Sequence, residues 1–539
     1  MTKKCNIQML VFVLSLFSII QTKAQENINQ SSDKTEAIIK MDQLLTIVNS
    51  NYVEEVNNEE MMENAIVGLL KELDPHSVYI PEKEVKRMNE PLEGNFEGIG
   101  IQFNILNDTL LVVSPISGGP SEKLGILSGD KIINIEGELV AGIGLKNSDV
   151  TKKLRGKKGT KVTVDIFRRG EKKLIPFEIT RDKIPIYSVD AAYMAEPDVA
   201  YIKVNRFART TMEEYEKAID SLRKQGAENL ILDLSGNGGG YLNTAFHLAD
   251  EFLDEGKLIV YTEGDKQRRR EYRARTGEGF EKGKLIVLID EGSASASEIV
   301  SGAIQDWDRG LIIGRRSFGK GLVQKSFPLS DGSAVRITTA KYFTPTGRSI
   351  QRPYNDGKEK YYREINRRFK SGELMVKDSI DFPDSLKFYT PKKRIVYGGG
   401  GIMPDIFIPL DTSMNSNLNR NLIRKGIYNE FTLTYLDSKR EELLELYPTF
   451  EKFNANFSLD DNFMEEFFAY AEKKKVERNQ SDYTKSKKLI DTQILALIAR
   501  NLYDVSSYFQ LINQLNDSYL EALKVMHSDQ FEKANLEYE

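Results

Sequence analysis

The hydrophobic positions of this chain change their spacing several times between its two ends. Over Ile38–Val48 and Met61–Leu73 they recur at intervals of three and four residues, as on one face of a helix. Asp74 and Pro75 follow the second stretch, and the residue before a proline is disfavoured in helical conformation. The spacing predicts a helical region over residues 25–92.

Short runs of strand-forming residues, separated by glycines, come next. A Gly-Ile-Gly-Ile loop at residues 98–101 precedes a strand over Thr109–Val113, and a Gly-Asp-Lys turn at 129–131 and a strand over Thr160–Ile166 follow. In order and spacing these segments resemble a PDZ domain over residues 93–184. An ordinary pair of hairpin glycines is the alternative, but it leaves the surrounding pattern unexplained.

The resemblance implies a peptide-binding site at the glycine loop. An apolar, glycine-rich loop can point backbone N–H groups at a peptide's terminal carboxylate, and the neighbouring strand edge can take up the peptide as an added strand. The residues expected to bind are Gly98, Ile99, Gly100, Ile101 and Phe103. Proteins or peptides with accessible C-termini are the expected partners.

Further along the chain, strands alternate with helices. The apolar strand Asn229–Leu234, for example, is followed by the helical pattern Tyr241–Leu253. Such alternation predicts an α/β layered core, here over residues 185–411 with a charged insertion at about 355–394. Residues 412–539 return to helical spacing and show no candidate chemistry, so we expect them to cap the core or to pack subunits in a homo-oligomer.

Composition and charge fit a soluble globular protein of several modules. The chain has 539 residues, of which 40% are hydrophobic and 29% charged. Its net charge of -5 gives no reason to expect nucleic-acid binding.

The N-terminus predicts export, most simply to the periplasm. Lys3 and Lys4 precede the apolar stretch Met9–Ile20, and Ala24 is a small residue at the cleavage position, so residues 1–24 have the pattern of a signal peptide. An uncleaved membrane anchor is the alternative, although the apolar stretch is shorter than the roughly 20 residues that a span needs. The only cysteine, Cys5, lies in this segment, so the mature chain would form no disulfide.

A serine-rich turn over Glu291–Glu298 separates an apolar strand from a helical pattern. A serine here would be exposed, and backbone N–H groups at the helix N-terminus could stabilise an oxyanion. The alternative is that Ser295 only caps the helix, because Ser295-Ala296-Ser297-Glu298 fits a capping box.

A glycine loop at residues 236–240 follows the strand that ends at Leu234. Its glycines would let the backbone approach a substrate closely, and its N–H groups could complete an anion hole. A tight turn is one alternative. A dinucleotide loop is another, but Tyr241 stands where that fingerprint needs its third glycine.

A serine nucleophile needs a base, and Lys320 is the candidate. The three histidines of the chain, His76, His247 and His527, lie in no recognisable nucleophile context. Lysine acts as a base only where burial lowers its pKa, which apolar neighbours such as Phe318 make plausible here. Gln324 follows four residues later and could orient the amine.

Taken together, these features resemble the C-terminal processing peptidases, also called tail-specific proteases. Ser295, Lys320 and Gln324 have that family's spacing of 25 and then 4 residues, within the motifs SASASEI and FGKGLVQ. LDPHS at 73–77 and TPTGRSIQ at 344–351 fit as well. The family commonly has a proline where this chain has Gly238, which leaves the rigidity of the glycine loop open.

The resemblance implies a crotonase- or ClpP-like α/β protease core with an inserted PDZ domain and helical terminal regions. It implies an endopeptidase that recognises protein C-termini and uses Ser295 as nucleophile, Lys320 as base and Gln324 to orient the base. The backbone N–H groups of Ala296 and Gly239 would hold the oxyanion. No metal or organic cofactor is implied, because no cluster of residues has ligand spacing.

Three alternatives remain open from the residues themselves. Ser317-Phe318-Gly319-Lys320 is a literal S-x-x-K, but that motif needs helix, and glycines flank Lys320. The chain could also be a non-catalytic PDZ scaffold that only binds peptides, or an acyl-transferring enzyme on a related core.

Overall fold

A computed structural model describes residues 34–275, 277, 279–380 and 383–538. The predicted signal peptide lies outside these residues. The chain divides into two units, residues 1–73 and 74–539. In the first unit, α1 covers residues 34–51 and α2 covers Asn58–Lys71, and Asn57 caps α2 by accepting hydrogen bonds from two backbone N–H groups.

The second unit opens with a strand that the sequence analysis missed. β1 (Val78–Ile80) pairs antiparallel with β18 (Ala334–Phe343), and α3 (Glu82–Glu93) follows β1. The helical region predicted over residues 25–92 therefore also contains one short strand, β1. Three residues are too short a run for periodicity to reveal, and their pairing partner lies more than 250 residues away.

An inserted domain follows, and the strands on which the chain enters and leaves it pair with each other. These are β2 (Asn95–Gly98) and β9 (Asp182–Pro185). The elements between them are β3 (Ile101–Leu106), β4 (Thr109–Pro115), α4 (Pro120–Lys123), β5 (Lys131–Ile135), β6 (Glu138–Leu139), α5 (Asn147–Leu154), β7 (Lys161–Phe167) and β8 (Ile175–Thr180). The sheet has the order β3-β4-β5-β7-β8, with β6 paired to β5, and it encloses its own apolar core.

The central sheet of the second unit has six strands in the order β10-β11-β12-β15-β16-β21. They are β10 (Val189–Glu196), β11 (Val199–Val204), β12 (Asn229–Asp233), β15 (Leu285–Ile289), β16 (Leu311–Gly314) and β21 (Ile406–Phe407). All neighbours are parallel except β10 and β11. Strands buried on both faces read as continuous apolar runs, which is why β12 and β15 were visible in the sequence.

Helices cover both faces of this sheet. One face packs against α6 (Thr211–Lys224), α7 (Leu242–Asp250) and α8 (Ala296–Asp306). Alternate residues of the same strands, such as Ile231 and Ile286, face a second core that the C-terminal segment completes.

A second sheet lies beside α8 and carries one half of the candidate site. It contains β13 (Leu258–Gly264), β14 (Gln267–Arg273) and β17 (Leu322–Pro328), in addition to β1 and β18. The register between β17 and β18 shifts at Val323 and Gln324. Such irregularities re-aim side chains and are frequent beside active sites.

The charged insertion is folded and contributes buried arginines. It comprises α9 (Lys358–Tyr362), α10 (Glu364–Lys370), 3₁₀ turns over Lys377–Ser379 and Asp384–Leu386, and the hairpin of β19 (Lys387–Tyr389) and β20 (Ile395–Tyr397). The Arg368 guanidinium, which is 1% exposed, donates to the Ser317 carbonyl oxygen at 2.8 Å. The insertion thus supports the loop that carries Lys320.

The C-terminal region has two parts, one that encloses its own apolar core and one that packs on the central sheet. Its first five helices, α11 (Asn417–Arg424), α12 (Ile427–Leu446), α13 (Phe450–Asn456), α14 (Asp461–Lys473) and α15 (Gln480–Leu502), enclose an apolar core of their own. The last three are α16 (Val505–Ile512), α17 (Asp517–Met526) and α18 (Gln530–Lys533), with a 3₁₀ turn over Asn513–Leu515. Tyr519, Met526 and Phe531 from this segment cover the second face of the central sheet. Among the helices described, none is long and apolar enough to cross a membrane.

Candidate active site

Ser295 stands at the turn between β15 and α8, at the N-cap position of α8. Its backbone has φ 55° and ψ -108°, a conformation that costs a non-glycine residue about 1–3 kcal/mol. The neighbouring Ala296 is fully buried, whereas Ser295 is partly exposed. A strained, exposed serine on a strand-to-helix turn is the arrangement of a nucleophile elbow.

The other serines of these two loops are buried and engaged. Ser293 Oγ donates to the Leu234 carbonyl oxygen at 2.8 Å, and Ser297 Oγ donates to the Asn237 carbonyl oxygen at 2.8 Å. Ser317 Oγ donates to Glu298 Oε1 at 2.5 Å and accepts the Ile402 N–H at 2.6 Å. These bonds give a physical reason, independent of any resemblance, to prefer Ser295 over Ser293, Ser297 and the S-x-x-K serine.

Only half of the predicted capping box forms hydrogen bonds at the start of α8. The Ser295 N–H donates to Glu298 Oε2 at 2.7 Å. In return the Glu298 N–H donates to the Ser295 carbonyl oxygen at 2.9 Å, and no side-chain cap bond forms. The Ala296 N–H has no acceptor among the described residues. Ser295 is therefore an N-cap by position, yet its hydroxyl is free for other chemistry.

The glycine loop packs directly against this turn. A Cβ on Gly239, which has φ +103°, would lie 2.9 Å from Ser295 Cβ and 3.1 Å from the Ala296 nitrogen. A Cβ on Gly240 would lie 2.1 Å from the Phe207 carbonyl oxygen. Only glycine allows so close an approach.

One part of the predicted oxyanion hole is engaged elsewhere. The Gly239 N–H donates to Asn237 Oδ1 at 2.9 Å, so it is not free to receive an oxyanion in this state. The prediction overlooked that an asparagine two residues before a backbone N–H readily closes an Asx turn. Gly239 stays a predicted donor that must first be released, whereas the Ala296 N–H is free.

Lys320 lies in the same cleft as Ser295, between β17 and the glycine loop. The cleft has a volume of about 530 Å³. The pKa of Lys320 is lowered to about 8, chiefly by burial and also by the nearby Arg336 guanidinium, while the carboxylates of Glu298 and Asp74 oppose this shift. Within the part of the chain that the structure describes, the amine has no hydrogen-bond or ion-pair partner, and none joins it to Ser295.

Two buried side chains tie the serine loop to the lysine loop. The fully buried Glu298 carboxylate accepts the N–H groups of Ser295 and Lys320, at 2.7 and 2.9 Å. The Tyr342 hydroxyl lies 3.0 Å from the Ser295 carbonyl oxygen and 2.7 Å from that of Lys320. Burial raises the pKa of Glu298, and the hydrogen bonds it accepts oppose that rise. In the sequence, Glu298 is recognisable only as a capping residue, and no local pattern marks Tyr342.

Gln324 does not hydrogen-bond to Lys320 in the described structure. Its Nε2 donates instead to Thr338 Oγ1 at 3.2 Å, and that hydroxyl donates to Asp74 Oδ1 at 3.0 Å. Asp74 also accepts the Ser77 hydroxyl at 2.5 Å. The LDPHS motif thus anchors Gln324, a connection that spacing along the chain could not reveal.

His76, from the same motif, lies near Lys320. The pKa of His76 is lowered to about 4, chiefly by burial and also by the Lys320 charge. Its Nε2 pairs with the Tyr361 hydroxyl at 2.8 Å. The imidazole is therefore neutral at physiological pH and occupied, as expected of a structural histidine.

A second groove lies in the inserted domain, where its glycine loop meets α5. Its volume is about 280 Å³, and Gly98, Ile99, Gly100, Ile101 and Phe103 all line it. Leu154 of α5 adds to its apolar wall. The predicted peptide-binding residues are therefore brought together in one groove.

Family models match most segments of the chain. A model of peptidase family S41 matches residues 198–357, and a PDZ domain model matches residues 98–179. The N-terminal domain model of the activating protease CtpB matches residues 12–84. A family of unknown function matches residues 418–504, which hold the first C-terminal helices.

Two relatives carry names of the same kind. A carboxy-terminal-processing protease of Bartonella bacilliformis is 37% identical over 352 residues, which are 64% of this chain and 80% of that protein. The carboxy-terminal processing protease CtpB of Bacillus subtilis is 35% identical over 325 residues, or 60% of this chain and 67% of that protein.

Among solved structures, the photosystem II D1 C-terminal processing protease is 26% identical and covers 70% of this chain and 89% of its own, with a TM-score of 0.36. The PDZ domain of a Vibrio cholerae carboxy-terminal protease, solved with a peptide, is 34% identical and covers 17% of this chain and 97% of its own, with a TM-score of 0.16.

The fold and the matching families define a serine-type peptidase that contains a PDZ domain. The chain belongs to peptidase family S41, among the carboxy-terminal processing proteases. The predicted peptidase core, PDZ domain and helical terminal regions are confirmed.

Proposed function

We propose that this chain is an exported endopeptidase that cleaves proteins near their C-termini, with Ser295 as nucleophile and Lys320 as general base. The observation that carries the proposal is the lowered pKa of Lys320, about 8, in the cleft that also holds Ser295. At pH 7 roughly a tenth of such a lysine is neutral, against far less than 1% at its ordinary pKa. A base of this kind suits a Ser-Lys arrangement.

The chemical steps follow from these positions. Neutral Lys320 takes the proton from Ser295 Oγ while that oxygen bonds to the carbonyl carbon of the scissile peptide. The resulting ammonium gives the proton to the leaving amine, and the peptide bond breaks. Water then attacks the carbonyl carbon of the acyl-enzyme while Lys320 accepts a proton from the water. The Lys320 ammonium gives that proton to Ser295 Oγ as the ester bond breaks and the acid product leaves.

The oxyanion would be held at the N-terminus of α8. The free Ala296 N–H is the first donor, and the partial positive charge of the helix N-terminus adds to it. Gly239 becomes the second donor once its N–H leaves Asn237 Oδ1. Gln324, fixed by Thr338, has an amide oxygen that can accept from the Lys320 amine and orient it.

The PDZ groove would select the substrate by its C-terminus. The glycine loop would receive the terminal carboxylate, and the apolar wall would receive an apolar last side chain. The names of the relatives, carboxy-terminal-processing proteases, support this assignment. Comparing cleavage of one peptide as free acid and as C-terminal amide tests it: amidation should raise KM about tenfold or more, and equal KM values would contradict it.

Active-site labelling tests the nucleophile. A serine-reactive acylating probe followed by peptide mass spectrometry should modify Ser295, and Ser295→Ala should abolish both labelling and cleavage. Ser293→Ala and Ser297→Ala are matched controls that should keep the label. Labelling of another serine would assign the nucleophile elsewhere, and a protein that binds peptides without cleaving them would favour the scaffold alternative.

Export is proposed from residues 1–24. N-terminal sequencing of the protein recovered from cells should show a chain that begins just after Ala24. A chain that retains Met9–Ile20 and sediments with membranes would support the anchor instead.

A further inference from the structure

Arg336 occupies a place in the catalytic cleft that the steps above leave without a role. It lies on β18, opposite Ser326 of β17 and Val78 of β1 in the sheet register. Because side chains two residues apart share a face of a strand, Arg336 points to the same side as Thr338, which holds Gln324. Arg336 lines the cleft together with Ser295 and Lys320.

The Arg336 guanidinium has no hydrogen-bond or ion-pair partner among residues 34–275, 277, 279–380 and 383–538. Several other half-buried or buried arginines of the core are paired with carboxylates. Arg315 pairs with Glu291, Arg316 with Glu373, Arg348 with Asp306 and Arg394 with Asp308, each with a shortest separation of 2.6 or 2.7 Å. Arg336 is half-buried beside a second cation, Lys320, and lacks the carboxylate partner that these four arginines have.

The charge balance of the cleft points to the partner. Among the described residues that line it, the one carboxylate is Glu93, which already pairs with Arg209 at 3.0 Å and accepts the Tyr241 hydroxyl at 3.0 Å. Glu298 is fully buried, and its carboxylate already accepts hydrogen bonds from backbone N–H groups. A planar guanidinium is best matched by a carboxylate, which it binds through two parallel hydrogen bonds.

We propose that Arg336 forms a subsite for a substrate carboxylate close to the scissile bond. This inference rests on the proposed function, because it assumes that the substrate passes between Ser295 and Lys320. The carboxylate can come from an Asp or Glu side chain or from the chain terminus itself when cleavage is near the end. In both cases the enzyme would favour an acidic group at one fixed distance from the cut.

Bound carboxylate would also act on the base. Arg336 lowers the pKa of Lys320, whereas Glu298 and Asp74 raise it, and neutral His76 adds no charge to this balance near pH 7. Neutralising or removing Arg336 therefore shifts the Lys320 pKa upward. The acid limb of kcat/KM should move to higher pH in Arg336→Gln, which a merely structural role of Arg336 would not produce.

The test uses the full-length enzyme and peptides that differ at one position. Aspartate is placed at each position within four residues of the cut and compared with asparagine, and each peptide is made as free acid and as amide. One position should show a preference of about tenfold for Asp over Asn. If only amidation lowers the rate and Arg336→Gln abolishes that difference, the terminal carboxylate is the ligand of Arg336; an amidation effect that persists in Arg336→Gln belongs to the PDZ groove.

Variants assign the preference to Arg336. In Arg336→Gln the ratio should fall to about one, Arg336→Lys should keep part of it, and Arg336→Glu should favour lysine at that position. Lys325→Gln removes a charge from β17 that faces away from the cleft, so it should keep the wild-type ratio. A wild type that cleaves without any acidic preference, or an Arg336→Gln with the full ratio, overturns the subsite. A wild type without any cleavage contradicts the proposed function instead.

Discussion

Six of the eight helices that the structure describes in the C-terminal region begin in a different way from the helix that follows Ser295. In the C-terminal region, the N-cap side chains accept hydrogen bonds from the first turn at Ser416, Thr449, Asp460, Asn479, Asp504 and Asn516. All six have negative φ. Ser295 caps α8 at φ 55° and forms no such side-chain bond.

At the N-cap position, the side chain stabilises the helix in the C-terminal region, whereas at α8 it is left available for chemistry. A capping side chain contributes about 1 kcal/mol to stability by satisfying an N–H group at the helix start. At α8 the backbone strain turns the hydroxyl away from that task, and the Ala296 N–H stays free. Glu298, which caps from within the helix, compensates for part of the loss. Active sites commonly give up stability in this way.

The largest predicted effect is the loss of activity when Ser295 is replaced. Ser295→Ala should lower kcat/KM by about 10⁴-fold or more, because the nucleophile is lost. Since the hydroxyl forms no cap bond, the free energy of unfolding should change by less than about 0.5 kcal/mol. Ser295→Gly should raise the free energy of unfolding by about 1 kcal/mol, because glycine adopts this positive φ without strain. Thermal unfolding and peptide cleavage measure both, and a large loss of stability in Ser295→Ala would mean that the hydroxyl is a cap after all.

Lys320 should set the pH dependence of the reaction. The neutral amine is the active form, so kcat/KM should rise with pH and level off above the Lys320 pKa of about 8. Lys320→Met should reduce kcat/KM by roughly 10³-fold or more. Lys325→Gln is the matched control and should keep the wild-type pH profile. An acid limb near pH 6 would point to a different base.

A true cap should show the opposite behaviour from Ser295. Asp460 Oδ1 accepts the Phe463 N–H at 2.7 Å, and Asp460→Ala should lower the free energy of unfolding by about 1 kcal/mol. Cleavage at temperatures well below unfolding should be unchanged, because α14 belongs to a separate apolar core. If this variant lost activity while folded, the C-terminal helices would have a part in catalysis.

The smallest predicted effect is a change of stability at Gly238. A Cβ there meets nothing within 4 Å, its φ is not in the left-handed region, and its N–H has no acceptor in the described chain. Gly238→Pro should therefore stabilise the fold by about 0.5 kcal/mol by restricting the unfolded chain. Gly239→Ala is the contrasting variant and should be strongly destabilising, because its Cβ would collide with Ser295. Loss of stability in Gly238→Pro would show that this loop needs glycine for a reason other than space.

The parts of the site that lie within single loops were predictable from the sequence. The loops that carry Ser295, Lys320 and the PDZ glycines were found from turn chemistry, glycine spacing and motif resemblance. The partner of Gln324 was not, because Thr338 and Asp74 reach it from a strand and a loop that only sheet pairing brings together. Arg336 was missed for the same reason.

Periodicity and composition determined the order of the modules, since burial of apolar faces leaves a signal in every strand and helix of sufficient length. Spacing alone determined which loops could carry a serine and a lysine. Tertiary structure decided which hydroxyl is free, which N–H groups are engaged and how far burial lowers the pKa of Lys320. These properties depend on desolvation and on contacts between distant segments, and the local sequence predicts neither.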